Sequence, residues 1–470
     1  MPSPELKAIE RTPPFSNGSI AKATSGQSAD RSPCESYARI ALMMILVGVA
    51  VRVLMMVLAK GTLIDDAYIS LRYARNLCVG RGMVYNVGEH VLGAPPLYVV
   101  VLGFLWQVEK LVFGSSGEHI GYFVSGLNVL LTGWAGWLLF RLVRPTPRYL
   151  SLLPLMIFCL YLPFTDNGTT GMETPLFILM LLLSLYLLEG RRDWIASVVL
   201  GCAVLVRAEG VLWIACVLLS RRLRGKRLSL GLIVPLGMIG AGWAVFGTLY
   251  YGSPIPQNAL AKSGWIVGMW GSEGLFGHGW KILRAFTLVP SGGAAGASLL
   301  EVVLVSGGTL VLSSLFMVGM VRLFRRRNRD LVWGFFFVFS VLFFILGRGA
   351  TWPSWYAIPP GLSFAIVVSH GLSVLLESDN LRSWRRWNSG RLGPVLGIGL
   401  FILLLVGSLV VWQHKRLPYY EILRHGYGAT GEYLASVAED QRLFVNEIGY
   451  IGFLADRYIY DAGGMVTKDI

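Results

Sequence analysis

A succession of about eleven apolar runs, about half of the gaps between them rich in arginine, constrains this chain more than any other feature. The runs lie at 40–60, 120–140, 149–164, 174–189, 194–206, 209–220, 229–249, 299–322, 331–347, 356–376 and 394–412. A helix of roughly 20 apolar residues crosses the hydrocarbon layer of a bilayer, and only helices or closed barrels satisfy their own backbone there. With 54% hydrophobic and only 14% charged residues among 470, the chain reads as an all-α polytopic membrane protein, a bundle of about eleven transmembrane helices.

The loops orient that bundle. A net charge of +14 would suit nucleic acid in a soluble chain, but here the cations fall in Arg191-Arg192, Arg221 to Arg227, Arg322 to Arg329 and Arg382 to Arg391, between apolar runs. That is the cytoplasmic-loop pattern of the positive-inside rule, and it argues against a nucleic-acid partner. Two segments need a decision. The run 92–113 begins with Pro95-Pro96 and contains Glu109 and Lys110; if it crossed, Arg141 to Arg148 would fall outside, so it is expected to lie as a short juxtamembrane helix on the outer face. The stretch 194–220 carries Arg207-Ala208-Glu209-Gly210 at its centre, and two half-length helices meeting at an outward tip avoid burying two charges at mid-depth. The expected organisation is a disordered cytoplasmic tail over 1–37, a transmembrane domain over 38–412 with an outer catalytic loop at 61–119, and a short outer segment over 413–470. The expected location is the cytoplasmic (inner) membrane, with the site facing outward.

The outer segments gather the uncommon chemistry. Asp65 and Asp66 follow the first span and open a short helix, which Asp65 can cap and Gly80 with Gly82 can stop. Residues seven apart share a helix face about 10 Å apart, so Asp65 aligns with Arg72 and Asp66 with Tyr73, and an acid and a guanidinium so placed could bracket a sugar phosphate. The alternative is that Asp65 only caps and Asp66 only pairs with an arginine. Glu173, before Thr174-Pro175, serves either a substrate or its helix dipole, and Arg207 with Glu209 serves a substrate or forms an internal ion pair. Asn258 and Lys262 lie on a Pro-broken outer loop, where Lys262 can meet an anionic head group or snorkel. Arg348 precedes an aromatic belt, and Glu89 and His90 complete the candidate binding set. His90, His119 and His278 have no metal-ligand spacing, so no metal site is assigned, although carboxylates could hold a divalent ion. The five cysteines have no paired spacing.

Taken in order, DDAYISLRYARN at 65–76, GRGMVYNVGEHVLGAPPLY at 80–98, GMETPLF at 171–177, RAEG at 207–210, YYGSPIPQNALAK at 250–262 and IGYIGFLADRYIYDAGGMV at 448–466 resemble the C-type (GT-C) membrane glycosyltransferases. This superfamily includes protein O-mannosyltransferases and aminoarabinose transferases, and the likeness is strongest to its arabinofuranosyltransferase branch. The resemblance implies a polyprenyl-phosphate-sugar donor and an envelope glycan, lipid or protein acceptor. It also implies Asp65 as general base, Asp66 in support, and Arg72, Lys262 or Arg348 facing the departing phosphate, with inversion at the anomeric carbon. Gly93-Ala94-Pro95-Pro96-Leu97 departs from the family's usual run at that place. A flippase for lipid-linked glycans would instead call for mid-membrane charges and inverted repeats, and an inactive scaffold is the third reading.

Overall fold

The computed structural model describes residues 33–114, 117–145, 148–257, 299–347, 354–377, 392–437 and 441–467. Helices occupy every expected span. They are α1 (Pro33–Leu58), α4 (Ile120–Leu142), α5 (Leu152–Leu160) with α6 (Leu162–Asn167), α7 (Thr174–Glu189), α8 (Asp193–Val206), α9 (Gly210–Leu223), α10 (Leu230–Tyr251), α11 (Leu299–Arg325), α12 (Leu331–Gly347), α13 (Ser354–Glu377) and α14 (Leu392–Val411). Between α1 and α4 lie α2 (Asp65–Cys78) and α3 (Pro96–Phe113). Among the described residues seven helices are long and apolar enough to cross a membrane, and four shorter apolar ones accompany them. α1 starts at Pro33, inside the segment expected to be an unstructured tail.

The expected break in 194–220 is present. α8 ends at Val206, Arg207 is extended, and α9 starts at Gly210. A Cβ on Gly210 would lie 2.7 Å from the backbone nitrogen of Val204, so only glycine lets α9 turn back this closely. α3 has span length by composition, yet it packs along α2, where the Cys78 thiol donates to the Gly103 carbonyl at 3.2 Å. Its other face leaves Val100, Phe104 and Leu111 exposed.

Two apolar cores organise the molecule. One fills the bundle, from Ile45 on α1 through Leu139, Phe177, Leu200 and Trp213 to Phe336 and Val367. The second lies at the end of the bundle that carries α2 and α3. It joins Leu71, Tyr98 and Trp106 to Tyr420, Ile448, Phe453 and Ile459, so the C-terminal stretch folds onto the first loop and the two share one core. That stretch continues α14 through a π-turn at Trp412–Arg416, α15 (Leu417–Ile422), a second π-turn and α16 (Gly428–Ser436). It ends in β1 (Leu443–Val445), α17 (Tyr450–Ala455) and β2 (Ile459–Asp461). The two strands pair in parallel, Leu443 opposite Ile459, and α17 supplies the crossover that a parallel pair requires.

Candidate active site

Asp65 is the first residue of α2, and it does not cap its own helix: the N-cap is Ile64, with no side-chain cap bond. Its carboxylate reaches instead to the start of α17, where Oδ2 accepts the Gly449 N–H at 3.0 Å and Oδ1 the Tyr450 N–H at 2.7 Å. Those amides belong to a helix N-terminus, which leaves its first N–H groups without internal partners. Asp65 is 6% exposed, and burial pushes its carboxyl up to about 6, with Asp66 and Glu447 adding to the rise and the two amide bonds opposing it.

The same face of α2 grips the other end of α17. Arg72 donates from Nη1 to the Gly452 carbonyl at 2.7 Å, from Nη2 to the Arg457 carbonyl at 2.5 Å and from Nε to the Tyr85 carbonyl at 3.0 Å, with its guanidinium 4.1 Å above the Tyr85 ring. Arg75 donates to the Phe453 carbonyl at 2.9 Å and pairs with Asp456. An acid at the N-terminus and two cations at the C-terminal carbonyls complement the dipole of α17. Seven residues of α2 rise about 10 Å and six of α17 about 9 Å, so the Asp65–Arg72 spacing brackets a helix of this chain. The expectation that Arg72 brackets a sugar phosphate is corrected accordingly: it is 2% exposed and each of its nitrogens donates to a backbone carbonyl.

Tyr73 is likewise buried, donating to the Val91 carbonyl at 2.8 Å and accepting the Gly93 N–H at 3.0 Å. It fixes the loop that follows α2. Glu89 accepts the Tyr458 hydroxyl, and His90 is exposed with its ring edge-on to Tyr250, 4.3 Å between centroids. Tyr250 and Tyr251 bind the amide and carbonyl of Met83 at 3.1 and 3.0 Å, and the Gln257 amide donates to the Leu92 carbonyl at 2.8 Å. Two of the six sequence motifs thereby meet. Asn258, Lys262 and Arg348 lie outside the described residues.

Glu173, Arg207 and Glu209 converge, the internal ion pair of Arg207 with Glu209 being joined by Glu173. Arg207 binds Glu173 at 2.8 Å and Glu209 at 3.0 Å, and donates to the Thr174 hydroxyl at 3.0 Å. Its guanidinium lies 4.7 Å from the Tyr356 ring centroid. All three charged groups are buried, two acids to one cation. Burial raises the Glu173 carboxyl, Arg207 lowers it, and Glu209 and Asp66 raise it further. The loop that delivers Glu173 is fixed by Ser125 to the Thr169 carbonyl at 2.9 Å, Tyr98 to that of Gly171 at 2.7 Å and Asn128 to that of Met172 at 3.0 Å. Asp66 is partly buried, and its charge adds to the rise of the Asp65 and Glu173 carboxyls.

Several contributors escaped sequence reading. Gly449 and Tyr450 hold Asp65, and Tyr419 feels both acids. Asp166 at the end of α6 is buried beside Arg416 at 2.9 Å, tying the first π-turn to the bundle. The order of the motifs named the 448–466 segment, but nothing in its residues pointed to Asp65. Among the described residues no three His, Cys, Asp or Glu side chains converge to hold a metal.

Residues 118–347 match glycosyltransferase family 87. The chain is 28% identical over 220 residues to a terminal beta-(1->2)-arabinofuranosyltransferase of Mycobacterium tuberculosis, covering 42% of this chain and 34% of that protein. It is 27% identical over 264 residues to the enzyme of the same description from Corynebacterium glutamicum, covering 47% and 35%. The chain thus spans about a third of the length of the curated relatives it matches. Among solved structures, ArnT from Cupriavidus metallidurans bound to undecaprenyl phosphate aligns with 92% of this chain and 86% of its own at 15% identity and a TM-score of 0.48. The apo form gives a TM-score of 0.46. The expected resemblance to membrane glycosyltransferases, and to arabinofuranosyltransferases among them, is borne out.

Proposed function

We propose that this chain is a membrane glycosyltransferase that moves one sugar from a polyprenyl-phosphate carrier to a hydroxyl of an envelope glycan, lipid or protein outside the cytoplasmic membrane. The observation that carries the reading is Asp65: a buried carboxylate next to Asp66, held on both oxygens by backbone amides and raised to about 6. A base is most useful when its pKa lies near the working pH, and fixed hydrogen bonds remove the cost of orienting it at the moment of reaction. Each carboxylate oxygen has two lone pairs, so Asp65 keeps acceptor capacity beyond its amide bonds.

In the proposed step Asp65 takes the proton of the acceptor hydroxyl as that oxygen bonds to the anomeric carbon. The bond from that carbon to the phosphate oxygen breaks, its electron pair leaves on the lipid phosphate, and the configuration inverts. Asp66, with Glu173, Arg207 and Glu209, orients the sugar hydroxyls. Lys262 and Arg348 are the cations proposed for the leaving phosphate, now without Arg72. Arabinofuranose is the first sugar to test, because the matched relatives are named for it. The loop charges support an outward-facing site in the cytoplasmic membrane.

The test is transfer of radiolabelled sugar from decaprenyl-phosphate arabinofuranose to an arabinan acceptor in proteoliposomes. Wild type should form product and Asp65→Asn should not. Equal transfer by wild type, Asp65→Asn and Asp66→Asn would refute the catalytic assignment. Translocation of the donor without product would favour a flippase.

A further inference from the structure

The helices that carry Glu173, Arg207 and Glu209 at one end carry a different set of charges at the other. α7, α8 and α9 have 16, 14 and 14 residues, so about 20 Å of helix separates the two ends at 1.5 Å per residue. At the far end a cavity of about 530 Å³ opens between the end of α7, the start of α8, the end of α9 and the start of α12. Leu142, Val217 and Val332 make the apolar part of its buried floor, beside Ser220 and Asp330. Arg191, Arg224 and Lys226 stand around it.

The carboxylates of the cavity already have partners. Asp193 pairs with Arg221 at 3.1 Å and accepts the Ser229 hydroxyl at 2.5 Å. Glu189 pairs with Arg329, and Asp330 lies 2.9 Å from His370 Nε2. Among the described residues no carboxylate lies within ion-pair distance of Arg191, Arg224 or Lys226. Arg224 is only partly exposed; burial and the neighbouring Arg221 both disfavour its charge, Asp330 opposing them, so an anion in the cavity would relieve it. A cytoplasmic basic loop ordinarily just faces water and the lipid surface. That role needs neither a cavity beneath the cations nor their convergence from two separate turns over a partly apolar floor.

We propose that this cavity binds the phosphate of an anionic phospholipid head group, in the leaflet opposite Asp65. The phosphodiester sits among Arg191, Arg224 and Lys226, and the glycerol end of the acyl chains meets the apolar part of the floor, as basic pockets between membrane helices accommodate such head groups. The proposal is independent of the sugar-transfer reading.

Full-length protein in mild detergent is titrated with short-chain phosphatidylglycerol, with phosphatidylcholine of the same chains and with inorganic phosphate, and retained ligand is counted by native mass spectrometry. Wild type should retain phosphatidylglycerol about tenfold or more better than phosphatidylcholine, and Arg224→Gln with Lys226→Gln should abolish that preference, two cations fewer beside an anionic lipid being a loss of that order. Arg325→Gln with Arg327→Gln, exposed cations outside the cavity, should keep it, as should the conservative Arg224→Lys. Displacement of the lipid by millimolar inorganic phosphate would show that the phosphate alone is read; persistence would show that the whole head group is. A preference for phosphatidylglycerol equal in wild type and the Arg224/Lys226 double variant, with both folded by thermal unfolding, would overturn the proposal.

Discussion

At the scale of single residues, ionisation decides what the site can do. If Asp65 is the base, its carboxyl must be ionised, and with a pKa raised to about 6 the acid limb of kcat/KM should fall near pH 6, activity rising as pH climbs through it. Asp65→Asn should lower kcat by about 10²–10⁴-fold, the usual worth of a positioned base, while leaving the fold intact because the amide oxygen can still accept one N–H. A pH profile of transfer checks both, and a flat profile between pH 5 and 8 would count against the assignment. Arg207 invites a different measurement. Its removal leaves Glu173 and Glu209 buried without their shared cation, and loss of one partner from a buried ionic group costs about 3–5 kcal/mol. Arg207→Met should therefore unfold at a clearly lower temperature in detergent, and adding Glu173→Gln and Glu209→Gln should restore part of the loss.

At the scale of elements, the contact between α2 and α17 couples the two ends of the chain. Tyr68 stacks on Tyr450 with ring centroids 4.3 Å apart, and a Cβ on Gly449 would fall 1.9 Å from the Asp65 carbonyl oxygen. Gly449→Ala should push the start of α17 off Asp65, cutting transfer to the level of Asp65→Asn while the bundle stays folded. Limited proteolysis should then cleave the region after Ser436 sooner than in wild type, and unchanged cleavage with full transfer would contradict the contact. The helical spacing of Asp65 and Arg72 was legible in the sequence. What the spacing brackets was not, because a 10 Å gap between an acid and a guanidinium suits a sugar phosphate and a short helix equally well. The second partner lay some 380 residues away in the chain, and no local pattern announces a contact of that range.

At the scale of the whole molecule, the charge distribution supports one orientation. In cells, a cysteine placed at exposed Phe444 should react with a membrane-impermeant maleimide from outside, and one placed at exposed Arg222 only after the membrane is opened. Labelling of both from the same side would break the proposed topology. The bundle core and the second core are separate apolar clusters, joined through α1, the loop before α7 and the Asp166–Arg416 pair. The second core draws on two sequence-distant segments, the region of α2 and α3 and the C-terminal stretch.

The sequence by itself determined the class of the molecule and the position of its helices, since a span-length apolar run with basic flanks has one low-energy arrangement in a bilayer, and Arg207 with Glu209 at mid-run has one way to stay out of it. It also singled out Glu173, Arg207 and Glu209, which meet at one end of α7, α8 and α9. Only the tertiary structure decided their partners: Asp65 and Arg72 grip α17, Tyr73 fixes a loop, and Arg207 bridges two acids. Burial and hydrogen bonding between distant segments are properties of the fold, and they turn both the Asp65 carboxylate and the Arg72 guanidinium to the backbone of α17.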